Sequence, residues 1–467
     1  MKRILVIAGS DSSGGAGLEA DQKVIAAHGC YAMTTTTALT AQNTQGVYGI
    51  HMIPPEFVHK QIDACIEDIG VDVVKTEDAV QTLCKDLLPN TTILTPNISE
   101  ALLLLKETGQ ASIEVSSLND MKRLAQSLHT LGPKYILVKG GHLPLTADGR
   151  IATAADTEKI VANVLYDGSS AEVIELPYQT SPNTHGTGCS LGSAIACNLA
   201  NGMSMLNAVR AGCKYVSAGI ETSISLGRGA GPLNHFHSVQ ILPFTRGDFI
   251  EYLLRRDDVQ EAWKEYTHHE FTRKLGDGSL DPERFKYYMI QDYLYLIQFA
   301  RANALAGYKA KTLDDIAGAA RIVTHIRHEI NLHIGECKQF GLTQQDMEAY
   351  DESQACTAYT RYVLDIGQSE DWLALQIALL PCLLGYGMIA ARLHHLQITD
   401  PPAQPNRYLT WINNYVAEDY VAAVRTGRDL IEKHAIHQSP KRIEELVKIF
   451  IHATKMETGF WQMASTG

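Results

Sequence analysis

The spacing of hydrophobic positions changes about halfway along the chain. In the first half, short runs rich in β-branched residues alternate with amphipathic helical segments. This alternation predicts βαβ units and therefore an α/β fold with a mostly parallel, doubly wound sheet and a site at the carboxyl ends of its strands. The predicted strands cover residues 4–7, 32–39, 71–75, 91–95, 135–139 and 162–166.

The second half carries almost continuous helical periodicity and predicts an all-α bundle. Gly, Pro and His collect in residues 227–247, where the periodicity lapses. We therefore expect two domains, residues 1–245 and 257–467. The predicted helices of the second domain cover residues 283–309, 312–340, 371–395, 408–433 and 440–464.

Composition narrows the class of protein. The chain has 467 residues, 45% of them hydrophobic and 20% charged, which favours a folded globular protein over a disordered one. Its net charge of -12 and lack of a strong basic run argue against binding to nucleic acid or to an anionic membrane. No apolar stretch is long enough to span a bilayer, and no signal-peptide core follows the N-terminus. Nine cysteines without a CxxC pair favour a reducing compartment, which we expect to be the cytoplasm, and no protein-only metal site.

Two glycine-rich segments of the first half are candidates for ligand binding. Residues 9–17 follow the first strand and either let a ligand approach the backbone or form only a tight turn. The second segment, HGTGCS, precedes a helix, so Gly186, Thr187 and Gly188 form a candidate anion hole for a transferring phosphoryl group. Cys189 is then either a base for a substrate hydroxyl or a small buried residue that packs the helix.

In the helical half, reactive groups interrupt apolar stripes. Asp292 lies between Met289 and Leu296 on one stripe, and Glu457 continues another stripe that ends in Phe460. Cys382 and four tyrosines add a thiol and phenols to the interior. Each group alone is more often structural, but together they predict a nucleophile with acid and base groups in an aromatic pocket. The tyrosines are Tyr295, Tyr359, Tyr386 and Tyr415.

Six motifs of the first half resemble the hydroxymethylpyrimidine/phosphomethylpyrimidine kinase family, which has the ribokinase-like fold. They are AGSDSSGGAGLEAD, TALTAQNTQGV, TPNISEA, VKGGH, LYDG and HGTGCSL, in that order.

The resemblance implies Mg-ATP as a substrate and a set of ligand contacts. Lys139 would lie near the phosphates, Asn97 and Glu100 near the magnesium, and Cys189 would be the catalytic base. The carboxylate and amide among the pyrimidine contacts suit the exocyclic amine, because both can accept a hydrogen bond from it. The implied pyrimidine contacts are Gly9, Ala16, Asp21 and Gln42.

The chain departs from this family directly after Thr76. A GML segment, a helix, a strand ending in DPV and a loop rich in Ser and Gly are absent, and one short helix over residues 78–88 takes their place. We therefore expect a sheet that lacks an internal strand-helix segment.

Residues 257–467 resemble the TenA family, the thiaminase II proteins. The matching segments are GDGSLDPERFKYYMIQDYLYL, CTAYTRYVL, LLPCLLGYG, YLTWINNYVAEDY and METGFWQMA. The resemblance implies Cys382 as the nucleophile on an aminopyrimidine ring carbon, Glu457 as the proton donor to a ring nitrogen, and Asp292 on the opposite amidine edge. The ring would contact Tyr295, Tyr359, Tyr386, Tyr415 and Phe460, and this half needs no cofactor.

The two halves in this order resemble the bifunctional thiamine-biosynthesis proteins of fungi. The leading expectation is an enzyme that phosphorylates hydroxymethylpyrimidine and its monophosphate and also hydrolyses an aminopyrimidine or thiamine. The hydrolysis would regenerate the hydroxymethylpyrimidine that the kinase phosphorylates. Two alternatives are a chain in which only the hydrolase is active, because of the absent segment, and a sensor of thiamine precursors without catalysis. We expect pyrimidines and thiamine as its small-molecule partners and a homo-oligomer.

Overall fold

The computed structural model describes residues 1–76, 87–111, 113–141, 143–338, 341–399 and 404–466. The chain forms two compact units, Met1–Val239 and Gln240–Gly467. Most of the short helix predicted over residues 78–88 lies outside the described residues. The functional domain limits, residues 1–245 and 257–467, stay a prediction.

The first unit alternates strands and helices. Its described strands are β1 (Arg3–Ala8), β2 (Tyr31–Thr36), β3 (Ala38–Asn43), β4 (Gly46–Met52), β5 (Val73–Thr76), β6 (Ile93–Leu94), β7 (Tyr135–Val138), β8 (Ile160–Tyr166) and β9 (Ala171–Pro177). Its described α-helices are α1 (Gly17–Ala27), α2 (Pro55–Asp68), α3 (Ile98–Glu107), α4 (Leu118–His129), α5 (Thr187–Ala200) and α6 (Met205–Glu221).

The strands form two sheets and a separate hairpin. One sheet has the order β2-β1-β5 and is parallel, and the other has the order β6-β7-β8-β9, in which only β6 and β7 are parallel. The α/β class is as expected. The single strand predicted over residues 32–39 was wrong, because the chain leaves the first sheet after Thr36 and begins an antiparallel hairpin of β3 with β4.

The boundary between the two sheets coincides with the absent segment. β5 ends at Thr76 in one sheet, and β6 begins the other sheet at Ile93. Within the described residues, β5 pairs only with β1 and β6 only with β7. The expected internal strand would have joined these two edges into one sheet.

Helix α5 packs against both sheets. Its Ala196 and Cys197 belong to the core that contains Ile4 of β1. Its Leu191 and Ile195 belong to the core of the other sheet. A single apolar helix with two buried sides therefore connects the two sheets, and its first turn lies where they meet.

The second unit is helical throughout its described residues. Its α-helices are α7 (Phe249–Arg255), α8 (Asp257–Thr267), α9 (Glu270–Asp277), α10 (Pro282–Lys309), α11 (Leu313–Cys337), α12 (Gln344–Glu348), α13 (Gln354–Ser369), α14 (Trp372–Thr399), α15 (Leu409–Val416), α16 (Glu418–Ala435) and α17 (Pro440–Thr466).

One helix predicted for this unit is two helices in the structure. The helix predicted over residues 408–433 was wrong, because Ala417 has an extended backbone (ψ 150°) and separates α15 from α16. Glu418 and Asp419 then lie in the first turn of α16, where negative charge favours a new helix start.

Helix α14 is long and apolar enough to cross a membrane, but 72% of its apolar window is buried within the protein, as is usual for a core helix.

Candidate functional sites

The two glycine-rich segments of the first unit lie against each other. Gly186 precedes α5 with a φ of 78°, and a Cβ at this position would lie 1.9 Å from the Gly15 carbonyl oxygen. Only glycine combines this conformation with so close an approach. Thr187, Gly188 and the half-buried Cys189 then form the first turn of α5, at the positive end of the helix dipole. The Thr187 N-H donates a 3.4 Å hydrogen bond to the Thr184 carbonyl oxygen.

A lysine lies at the same helix start. The Lys139 Nζ is 3.7 Å from the Glu100 Oε2, and a Cβ on Gly188 would lie 3.4 Å from that Nζ. Asn97 and Glu100 cap α3, since each side chain accepts a 2.8 Å hydrogen bond from the backbone N-H of the other. The predicted phosphate and magnesium residues therefore lie close together, with the Glu100 side chain still 56% exposed.

The predicted pyrimidine residues differ in accessibility. Gly9 and Ala16 lie in the loop before α1, and the Gln42 amide nitrogen of β3 is 3.3 Å from the His185 Nε2. Asp21 is fully buried on α1. Its Oδ2 lies 2.7 Å from the Lys75 Nζ, and its Oδ1 accepts a 2.7 Å hydrogen bond from Ser193. In this arrangement a ligand amine reaches Asp21 only if these neighbours move.

Asp11 is a buried residue that holds the loop before α1 through hydrogen bonds, and the sequence reasoning did not select it. Its carboxylate accepts hydrogen bonds from the backbone N-H groups of Ser13, Gly15 and Ala16, and it lies 2.8 Å from the His185 Nε2. These bonds place the pKa of Asp11 below its ordinary value even though burial acts in the opposite direction. An Asp followed by Ser and glycines is a signal for such a loop.

The second unit encloses a cavity of about 80 Å³ between its helices. Asp292 and Tyr295 reach it from α10, and Cys382 and Tyr386 reach it from α14. Tyr415 closes it from α15. Five residues predicted from the sequence therefore line one cavity.

The remaining residues predicted for the hydrolase site lie next to the residues that line the cavity. The Tyr359 hydroxyl donates a 2.8 Å hydrogen bond to the Glu457 Oε1. The ring of Tyr295 lies 5.1 Å from that of Tyr359 and 5.7 Å from that of Phe460, measured between centroids. The fold thus brings together every residue that was predicted for the hydrolase site.

Burial controls the charge of the acidic groups. It raises the pKa of Asp292 well above its ordinary value, and the neighbouring charge of Glu329 adds to this increase. Burial also raises the pKa of Glu457 to about 8 and that of Glu329 to about 7, although hydrogen bonds from tyrosines oppose both shifts. These carboxyl groups can therefore hold protons near neutral pH.

The Cys382 thiol is protonated in this environment. Burial raises its pKa well above the ordinary value, and the charges of Glu457 and Glu329 raise it further. A nearby Tyr295 hydroxyl acts in the opposite direction. The thiolate that a nucleophilic mechanism needs must therefore form when a substrate changes the charge of the site.

Sequence reasoning missed Glu329, which also lines the cavity. The Tyr415 hydroxyl donates a 2.9 Å hydrogen bond to its Oε1. Glu329 follows Ile322 and Ile326 at steps of four and three on a predicted helix, the same spacing that identified Asp292. The same criterion would have found it. Among the described residues, no cluster of His, Cys, Asp and Glu side chains could hold a metal ion.

The raised pKa of Glu457 predicts a pH-dependent stability of the helical unit. Its folded value of about 8 exceeds its ordinary value of 4.5, so folding favours the protonated form. The free energy of unfolding should fall as the pH rises from 5 to 9, and Glu457→Gln should reduce this loss by about 3 kcal/mol. All four tryptophans lie in the second half of the chain, so urea unfolding followed by tryptophan fluorescence reports on this unit.

Glu261→Gln, an exposed carboxyl of α8, is the control and should follow the wild type at every pH. Parallel pH curves for the wild type and Glu457→Gln would contradict the assignment of a buried, proton-holding Glu457.

Comparison with known proteins relates both units to described families. Residues 11–77 and 76–234 match the phosphomethylpyrimidine kinase family, and residues 256–467 match the TENA/THI-4/PQQC family. The kinase match is in two pieces that meet at residues 76–77, where the sequence lacks a segment.

Relatives also match over nearly the whole chain. A Schizosaccharomyces pombe protein assigned as hydroxymethylpyrimidine/phosphomethylpyrimidine kinase 2 is 41% identical over 98% of this chain and 90% of its own length. The Saccharomyces cerevisiae hydroxymethylpyrimidine/phosphomethylpyrimidine kinase THI20 is 31% identical over 99% of this chain and 95% of its own length. A TenA family structure from Silicibacter is 37% identical over 48% of this chain and 98% of its own, with a TM-score of 0.44. The chain therefore belongs to the family of hydroxymethylpyrimidine/phosphomethylpyrimidine kinases that carry a C-terminal TENA/THI-4 domain.

Proposed function

We propose that the chain is a bifunctional enzyme of thiamine biosynthesis and salvage. Its first unit phosphorylates hydroxymethylpyrimidine and then its monophosphate with ATP, and its second unit hydrolyses an aminopyrimidine or thiamine. The observation that carries this proposal is the near full-length relationship to proteins named as kinases of these pyrimidines. That relationship does not favour an inactive kinase half or a sensor without catalysis.

In the kinase half, we propose that the start of α5 stabilises the transferring phosphoryl group. Gly186, Thr187 and Gly188 would supply N-H donors, and Lys139 would add positive charge beside them. Cys189 would take the proton from the substrate hydroxyl. The close approach of Lys139 to Gly188 supports this arrangement.

Mg-ATP would enter this half as a substrate. Asn97 and Glu100 would lie near the magnesium, and the exposed side chain of Glu100 supports that role. Gly9, Ala16 and Gln42 would contact the pyrimidine, and Asp21 would do so after a rearrangement of Lys75.

In the hydrolase half, we propose covalent catalysis by Cys382. Glu457 would donate its proton to a ring nitrogen, which makes the ring electron-poor, and Asp292 would bind the opposite amidine edge. The sulfur would then add to the ring carbon as its proton passes to the Glu457 carboxylate, and the thiazole or amine would depart. Water would add to the methylene carbon, and departure of the sulfur would release the hydroxymethyl product. The shared cavity of Cys382, Asp292 and the tyrosines supports this proposal.

Replacement of the nucleophile tests the hydrolase. Cys382→Ser in the full chain should lower hydrolysis of the aminopyrimidine by about 10³-fold or more, because a neutral hydroxyl adds poorly to the ring. Product formation is measured by chromatography. Cys65→Ser, a change on α2 of the other unit, is the control. Near-normal turnover by Cys382→Ser would exclude covalent catalysis by this residue.

Replacement of the proposed base tests the kinase. The full chain should form the pyrimidine phosphate from ATP, and Cys189→Ala should lower that rate by about 10² to 10⁴-fold through loss of proton transfer. Cys65→Ala should leave the rate unchanged. Phosphorylation that occurs only after a family-like segment is inserted behind Thr76 would support the alternative of an inactive kinase half.

We also expect a cytoplasmic homo-oligomer. The β3-β4 hairpin exposes four large apolar side chains, between 52% and 69% exposed, which an interface between copies would cover: Val47, Tyr48, Ile50 and Met52. Light scattering at micromolar concentration should give at least twice the mass of the chain. A monomer under these conditions would contradict this expectation.

A further inference from the structure

Glu329 has no role in the proposed reactions, although it shares the cavity with Cys382. It lies on α11 and lines the same cavity as Asp292 and Cys382. Its hydrogen bond from the Tyr415 hydroxyl is 2.9 Å long. Glu329 is half-buried, and removal of a carboxyl group even partly from water is costly, so its presence at the cavity favours a role in the chemistry.

The site contains two tyrosine-carboxyl pairs in different positions. Tyr359 donates to Glu457, and Tyr415 donates to Glu329. Among the described residues, the cavity lining includes both Glu329 and Tyr415 but neither Glu457 nor Tyr359. The Glu329 pair is therefore the one that can meet a group which leaves the ring through the cavity.

The proposed hydrolysis needs a second proton transfer besides that to the ring. An amine that is bound in its neutral form must gain a proton as the C-N bond to the methylene carbon breaks, because its anion is far too basic to leave. The thiazolium group of thiamine instead leaves as a neutral thiazole and needs no proton. A general acid at the leaving group therefore matters for one substrate and not for the other.

We propose that Glu329, through the hydroxyl of Tyr415, protonates the departing amine and later accepts the proton of the water that replaces it. This inference rests on the proposed function of the second unit. It assigns to Glu329 a role separate from those of Cys382 and Glu457.

Protons and electron pairs balance in both proton transfers. As the C-N bond breaks, its electron pair stays on nitrogen, which takes a proton from Tyr415 while the Glu329 carboxyl reprotonates that hydroxyl. The electrons of the ring adduct with Cys382 form a double bond to the methylene carbon. Water then adds to this carbon, its proton returns through Tyr415 to the Glu329 carboxylate, and the electrons return to the ring before sulfur departs.

The surroundings of Glu329 suit both directions of transfer. Burial raises its pKa to about 7, so acid and base forms are both populated near neutral pH. The titratable groups that line the cavity with it come from four other helices and from α11 itself. They are Asp292, Tyr295, His325, Cys382, Tyr386, Tyr415 and Tyr420.

Single-turnover measurements on the full chain test this role with two substrates. Glu329→Gln should slow release of ammonia from the aminomethylpyrimidine by about 100-fold. Release of thiazole from thiamine should stay within about threefold of the wild type. The rate of ammonia release should also lose its dependence on pH around 7. Tyr415→Phe should give the same substrate difference, and the double variant should be no slower than the slower single variant.

Glu348→Gln is the matched control. Glu348 accepts a 2.7 Å hydrogen bond from the Tyr293 hydroxyl, so it is also a tyrosine-carboxyl pair on helices of this unit, and neither member lines the cavity. Its variant should release both products at wild-type rates.

The outcomes separate the possible roles. Equal slowing of both substrates by Glu329→Gln, or unchanged release of ammonia, would overturn the proposal. If the wild type releases neither product, the proposed function fails and the role of Glu329 fails with it. If the wild type is active and Cys382→Ser is inactive, any failure concerns Glu329 alone.

Discussion

The free-energy cost of removing ionisable groups from water is the constraint that shapes the interior of the helical unit. Asp292, Glu329 and Glu457 surround Cys382, and a buried charge without compensation is among the most costly features a protein can contain. The unit meets this cost by keeping protons on the carboxyl groups and by giving Glu329 and Glu457 a tyrosine hydroxyl each. The aromatic wall is therefore both a surface for a flat ring and a source of hydrogen bonds.

The first unit meets the same constraint by placing a positive charge beside its buried carboxylate. Asp21 is fully buried but lies beside the Lys75 ammonium and accepts a hydrogen bond from Ser193. Loss of the Lys75 partner would leave the Asp21 carboxylate in the interior without a compensating charge. The buried acids of the two units thus differ in kind: Asp21 stabilises a charged arrangement, whereas Glu329 and Glu457 can exchange protons.

Local sequence patterns predicted the elements better than their arrangement. The helical stripe placed Asp292 at the cavity, and α10 has nearly the predicted bounds. The break at Ala417 was missed because Ile412, Val416 and Tyr420 keep steps of four, a helical spacing, across it. The β3-β4 hairpin was missed because its polar and exposed residues lack the apolar run of a buried strand.

The pairing of strands and the role of Lys75 depend on distant residues. Lys75 and Asp21 are far apart in sequence, and only the parallel pairing of β5 with β1 brings them together. The family resemblance therefore implied a pyrimidine contact for Asp21, but the sequence gave no sign of its ion pair. The residues of the helical site were more predictable, because each lies on a long helix whose buried face is set by local periodicity.

The position of β5 and β6 at the edges of their sheets has a consequence for the behaviour of the chain in concentrated solution. Within the described residues, β5 pairs with β1 and β6 pairs with β7, and Val74 of β5 is 53% exposed. Such edges are templates for aggregation, because their backbone groups can bond to a strand of another molecule. Here β5 has four residues and β6 has two, so each edge offers few hydrogen bonds to an intruding strand. Short length is a protection that longer edges at the same position would lack.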